Sequence, residues 1–143
     1  MDKIHTTSLD LPASYEFLNV ISTTVALLLG RAGDISDPAT QTYNVQLAIQ
    51  EVCTNIVDHA YAHMPDGRIS LEFELLRHLL VIEIRDTGQS FDPDSIPAPD
   101  LEEGQIHGYG LFLIHALMDK VEYYRQANQN VWRLSKVLIK MED

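Results

Sequence analysis

The feature that most constrains the fold of this chain is a period of two in its hydrophobic residues, which occurs in two separate places. Ile69 to Leu76 (ISLEFELL) and Leu79 to Arg85 (LLVIEIR) flank Arg77-His78, while Lys120 to Gln126 and Val131 to Lys140 flank the turn Ala127 to Asn130. Each pair reads as an antiparallel hairpin. Lys3 to Ser8 is a shorter alternating run and reads as an edge strand.

Three segments have helical spacing instead. From Pro12 to about Arg31 the apolar set is Phe17, Leu18, Ile21, Val25, Leu28 and Leu29, with Gly30 and Gly33 as the stop. Asp37-Pro38 is an N-cap followed by proline at the first helical position, so a second helix runs from there to about His63, before the breaker Met64-Pro65-Asp66-Gly67. Gly110 to Met118 (GLFLIHALM) is the third, and most simply packs in the core. The order is strand, helix, helix, two strands, loop, helix, two strands, so helices and strands do not alternate strictly. That predicts an α+β fold, a two-layer sandwich with helices on one face of a mixed, mostly antiparallel sheet.

A chain of 143 residues suits one domain, here 1–143, with a core of ordinary size. No apolar run approaches the roughly 18 residues of a membrane span, and MDKIHTTSLD lacks the apolar centre of a signal peptide. The single cysteine, Cys53, excludes an internal disulfide and suits the reducing cytoplasm. A net charge of −11 argues against direct nucleic-acid binding and favours a basic protein partner.

The second helix carries the chemistry. In VQLAIQEVCTNIVDHAY, Val45, Ala48, Ile49, Val52, Ile56 and Ala60 form an apolar face, while Glu51, Asn55 and His59 recur every four residues on another. Glu51 is placed to take a proton and Asn55 offers a hard oxygen to Mg²⁺, although such residues on a helix taken alone equally describe its solvated side. Asp86-Thr87-Gly88 follows a strand, and Gly108-Tyr109-Gly110 precedes the third helix, whose bare amides and positive dipole end would face an anion. Between them, Thr87 to His107 is a loop of a length that is usually functional or mobile. His59 and His63 have the spacing of a zinc pair but lack a third ligand, and there is no Gly-x-Ser-x-Gly elbow for a hydrolase. Tyr61, Tyr123, Tyr124 and Trp132 fit either an exposed contact surface or half-buried sheet positions.

EVCTNIVDHAY at 51 to 61, VIEIRDTGQSFDP at 81 to 93 and GYGLFLIHALMDKVEYYR at 108 to 125 together resemble the GHKL ATPase superfamily, the histidine-kinase-like ATPases, and within it the anti-sigma-factor serine kinases of RsbW type. The resemblance covers about Asp10 to Met141. It implies ATP and Mg²⁺ as ligands, with Asn55 holding the metal and Glu51 acting as general base toward a serine hydroxyl. Asp86 would accept from the adenine amino group, Gly88 would leave room for the base, and Gly108 and Gly110 would let the backbone close on the phosphates. His59 matches the family's His-Ala-Tyr, and Ser90 to His107 would be the lid.

The chain departs from the family at three places. Asn128-Gln129-Asn130-Val131-Trp132 stands where many relatives have Gly-Thr, so Asn130 would supply the polar contact to the nucleotide. Tyr109 lies between the two glycines, and the lid carries Asp100, Glu102 and Glu103. The implied function is phosphorylation of a serine on an anti-anti-sigma (STAS-type) protein and sequestration of a sigma factor, by a homodimer. ATP ordering the lid and the charge of the new phosphate would switch partners. The acidic lid motivates an alternative, an ATP-binding or nucleotide-independent module that holds its partner without phosphoryl transfer. A third reading is a sensor kinase's catalytic domain acting on a His-bearing partner.

Overall fold

The computed structural model describes residues 3–33, 35–90 and 109–138. Strand β1 (Lys3–Pro12) leads through a 3-10 turn (Tyr15–Phe17) into α1 (Leu18–Leu29) and then α2 (Pro38–Asn55), which runs on as a π turn (Ile56–Ala60). The hairpin β2 (Arg68–Leu76) and β3 (Leu79–Asp86) follows, then α3 (Tyr109–Leu117) and the hairpin β4 (Lys120–Gln126) and β5 (Gln129–Val137). The five strands lie in the order β1-β2-β3-β5-β4, and every neighbouring pair is antiparallel. The expected α+β sandwich is present, and among the described residues every strand of its sheet is antiparallel to its neighbours.

Alternation explains which face is covered. Leu9, Leu71, Ile84, Trp132 and Tyr123 form one cross-strand row, with Phe73, Ile82 and Leu134 in the next. These side chains meet Ile21, Val25, Leu28, Val45, Ile49, Val52 and Ile56 from the helices in one apolar cluster. Trp132 is only 2% exposed and lies tilted against Tyr123, ring centres 4.9 Å apart. Tyr61 and Trp132 are buried, Tyr123 is half-buried and Tyr124 is exposed, so packing accounts for most of these aromatics.

Several boundaries differ from expectation, each for a local reason. Pro12 closes β1 and does not open a helix: Leu9 and Leu11 continue the core-facing alternation opposite Leu71 and Ile69, and an edge strand tolerates proline. The helical part begins later, at Ser14, whose Oγ accepts from the Glu16 amide. Asp37 does precede α2, but its backbone is left-handed (φ 47°) and its side chain caps nothing. The helix holds its α form only to Asn55. His63 lies beyond the π turn at φ 65°, so His59 and His63 do not share a helical face. β5 starts at Gln129, two residues before the expected Val131, after a turn in which Ala127 takes φ 55°.

The other face of the sheet is polar. Glu83 pairs with Arg85 at 2.6 Å and Arg133 at 2.5 Å. Burial pushes the Glu83 carboxyl up, but the hydrogen bonds and charges of Arg85 and Arg133 outweigh it and hold the group below its usual 4.5. A carboxyl lowered by folding adds stability above its unfolded value, and that stability is lost as pH falls through the lowered value. Glu83→Gln is therefore expected to cost about 1 kcal/mol near neutrality and progressively less below 4.5, as read by urea unfolding across the acid range.

Candidate functional site

The site is built where the apolar rows of the sheet give way to polar ones. One step beyond Ile84 and Trp132, the same core-facing alternation places Asp86 opposite Asn130, and Asn130 opposite Arg125. Asp86 and Asn130 are 3% and 1% exposed. A polar group this deep must be hydrogen-bonded or carry a function.

Asp86 Oδ1 accepts from the Gly88 amide at 2.9 Å and from Asn130 Nδ2 at 2.8 Å. Its other oxygen, Oδ2, is buried and has no hydrogen-bond partner among the described residues. Desolvation raises the carboxyl above its usual 3.8, against the pull of Asn130, the Gly88 amide and the Arg125 charge. An orphaned acceptor at this depth costs free energy unless a hydrogen-bond donor fills it.

Asn130, expected from the missing Gly-Thr to supply a polar contact to the nucleotide, lines the cavity with its amide engaged by protein groups. Its Nδ2 donates to Asp86 Oδ1 and to the Gln89 carbonyl at 2.8 Å, with the Gly88 carbonyl at 3.3 Å. Its Oδ1 accepts from Tyr123 Oη at 2.7 Å and Arg125 Nη1 at 2.9 Å. Both ends of the amide are thus used on protein, and one of its bonds holds Asp86.

Gly88 is required by a neighbour of its own. A Cβ there would lie 2.2 Å from the Ala60 carbonyl oxygen, and the Gln89 amide donates to that oxygen at 2.7 Å. The π turn and the Asp86 loop are therefore in backbone contact. Tyr61 adds a second tie: its hydroxyl donates to the Arg68 carbonyl at 2.7 Å and accepts from the Thr87 amide at 2.8 Å. Gly88→Ala is expected to destabilise the protein by about 3 kcal/mol, and to weaken any ligand held by Asp86 as the loop is displaced. Urea unfolding and nucleotide titration of the same variant would check both.

At the other end of the site α3 meets α2. A Cβ on Gly110 would stand 2.9 Å from Glu51 Oε2, 3.8 Å from Asn55 Oδ1 and 3.9 Å from Asn55 Nδ2. The start of α3 thus closes on the two helix residues singled out for chemistry, and a side chain at position 110 would push the Glu51 carboxylate aside. Asn55 and His59 also line a small cavity of about 20 Å³, together with Asp86, Gln89, Tyr123, Asn130 and Trp132. The structure brings Glu51, Asn55 and Gly110 together, gathers Asn55, His59, Asp86 and Asn130 around one cavity, and bonds the Gly88 amide to Asp86. Gly108, and nearly all of the expected lid between Ser90 and His107, lie outside the described residues, as does the side chain of Tyr109. Tyr123, Arg125, Gln89 and the Ala60 carbonyl were not anticipated. Arg125 alone left a trace in the sequence, as a cation in an alternating strand near Asn130.

The family model for the histidine kinase-like ATPase domain matches residues 16–136. The chain belongs to that family. Among its relatives, serine-protein kinase RsbW of Halalkalibacterium halodurans is 39% identical over 128 residues, covering 82% of this chain and 74% of that protein. RsbW of Staphylococcus epidermidis is 35% identical over 133 residues, covering 85% and 80%. Within the histidine kinase-like ATPases the chain therefore groups with the RsbW serine-protein kinases. Two solved structures share the fold at 18% identity. One, of RsbU and RsbW domains from Mycobacterium tuberculosis, has a TM-score of 0.66 over 94% of this chain, which spans 32% of that one. The other, a blue-light activated histidine kinase from Erythrobacter litoralis, has a TM-score of 0.56 over 89% of this chain, which spans 42% of that one. The histidine kinase-like ATPase domain implies ATP as the nucleotide. No described helix is long and apolar enough to cross a membrane.

Proposed function

We propose that this protein is an ATP- and Mg²⁺-dependent protein-serine kinase and anti-sigma factor in a partner-switching module. The observation that carries the reading is the meeting of Glu51, Asn55 and the Gly110 backbone at the head of α3, beside a cavity that Asn55 lines together with Asp86, whose Oδ2 has no partner among the described residues. Asp86 Oδ2 accepts from the adenine amino group, and the amides at the start of α3 receive phosphate oxygens. Asn55, with an oxygen donor beside the α3 backbone, would hold Mg²⁺, which supplies charge neutralisation to the phosphates.

Glu51 Oε takes the proton of the incoming serine hydroxyl as its oxygen bonds to the γ-phosphorus. The bond from that phosphorus to the β,γ-bridging oxygen breaks, and ADP leaves. His59, exposed at the cleft wall, would contact the phosphates or steady the segment following Ser90. The substrate is a serine on a small STAS-type anti-anti-sigma protein, and the second partner is a sigma factor. We place the protein in the cytoplasm as a homodimer. Adding phosphate to one partner raises its negative charge against a chain of net −11, which favours its release.

The test is incubation with Mg²⁺-ATP and a STAS-type partner, followed by phosphoamino-acid analysis. An acid-stable phosphoserine supports the reading. An acid-labile phosphohistidine would assign the chain to a sensor-kinase role. Nucleotide and partner binding without phosphate transfer would make it a holding module.

A further inference from the structure

Base selection at this cleft depends on how many acceptors Asp86 presents. An ionised carboxylate with both oxygens open is a two-pronged acceptor and fits two adjacent N–H donors. The guanine edge offers such a pair, its ring N–H and its 2-amino group, whereas the adenine edge offers one amino donor beside a ring acceptor. An open Asp86 would thus accommodate guanine well.

Asp86 is not open. Oδ1 already accepts from the Gly88 amide at 2.9 Å and from Asn130 Nδ2 at 2.8 Å, which leaves Oδ2 as the free prong. The first of these bonds is a local turn. The second comes from another strand, and its orientation is dictated from behind. Arg125 has donors only, and its Nη1 lies 2.9 Å from the Asn130 oxygen, with Tyr123 Oη at 2.7 Å on the same atom. The amide nitrogen must therefore face Asp86 and the Gln89 carbonyl.

We propose that Asn130, oriented by Tyr123 and Arg125, is a specificity-determining positioning residue: by occupying Oδ1 it turns Asp86 from a two-pronged into a single acceptor and thereby restricts the cleft to adenine nucleotides. The proposal rests on the nucleotide-site reading given above.

The experiment is competitive displacement of a fluorescent ATP analogue by ATP, GTP and ITP. It compares the wild type with Asn130→Leu, Asp86→Asn and the double variant Tyr123→Phe with Arg125→Gln. The double variant keeps Asn130 but removes the two donors that anchor its oxygen and so loosens its hold on Asp86 Oδ1, and serves if Asn130→Leu fails to fold. The wild type should prefer ATP. In Asn130→Leu, ATP should bind more weakly and GTP more tightly, so that their ratio narrows by about tenfold or more. ITP, which has the ring N–H but no 2-amino group, should gain less than GTP, and the double variant should move in the same direction. Suppose instead that the wild type binds ATP, Asp86→Asn abolishes binding, and the Asn130 variant weakens ATP and GTP by the same factor. The nucleotide site then stands, but Asn130 is only structural and the proposal fails. If the wild type binds no nucleotide, the reading of the site falls and the proposal with it.

Discussion

Asp86→Asn is expected to weaken ATP binding about a hundredfold while leaving the fold at least as stable as before. Asparagine keeps an oxygen for the Gly88 amide and Asn130, and puts an NH₂ where Oδ2 now lies without a partner. That NH₂ would meet the adenine amino group donor to donor. Without ligand the substitution removes a buried charge. Because burial raises the Asp86 carboxyl above 3.8, the wild type is most favoured below that pH and loses stability as pH rises through the raised value. The stability gain of the variant should accordingly be absent in strong acid and grow toward neutrality. Calorimetric ATP titration and urea unfolding over pH would show the two effects moving in opposite directions. A parallel loss of both would mean that Asp86 only holds the loop.

Glu51→Gln should separate binding from chemistry in the other sense. Glutamine fills the same space opposite Gly110 but cannot take a proton, so serine phosphorylation should fall by about 10²–10⁴-fold. ATP affinity should stay within about threefold, and stability within about 0.5 kcal/mol. The measurement is single-turnover phosphate transfer at saturating ATP. If the rate is unchanged, Glu51 is not the base. If ATP binding is lost as well, its role is in holding the nucleotide.

The strands and helices could be read wherever one physical rule acted alone. Alternation gave β2 and β3, and the 3.6-residue period with Pro38 gave α2. Boundaries failed where two rules competed. Gln129 and Asn130 look like turn residues, yet they open β5, because Asn130 gains more from the buried carboxylate of Asp86 than from solvent. Pro12 looks like a helix start but ends an edge strand. The π turn leaves no periodic mark, since it is recorded in displaced backbone bonds such as that from the Tyr61 amide to the Ile56 carbonyl. In the site, Glu51 and Asn55 could be singled out by their four-residue spacing, and Asp86 by the family that its Asp-x-Gly resembles. The contacts of Gly88 with Ala60 and of Asn130 with Tyr123 and Arg125 were not, because they join strands and loops far apart in the chain.

The single tryptophan of the chain, Trp132, is packed against Tyr123 on the wall of the cavity that holds Asp86 and Asn130. Indole emission responds to the polarity and quenching of its surroundings, and no other indole contributes background. The cleft therefore carries its own optical reporter: arrival of a purine beside Asp86 would register as a change in intrinsic fluorescence, in unlabelled protein and in real time.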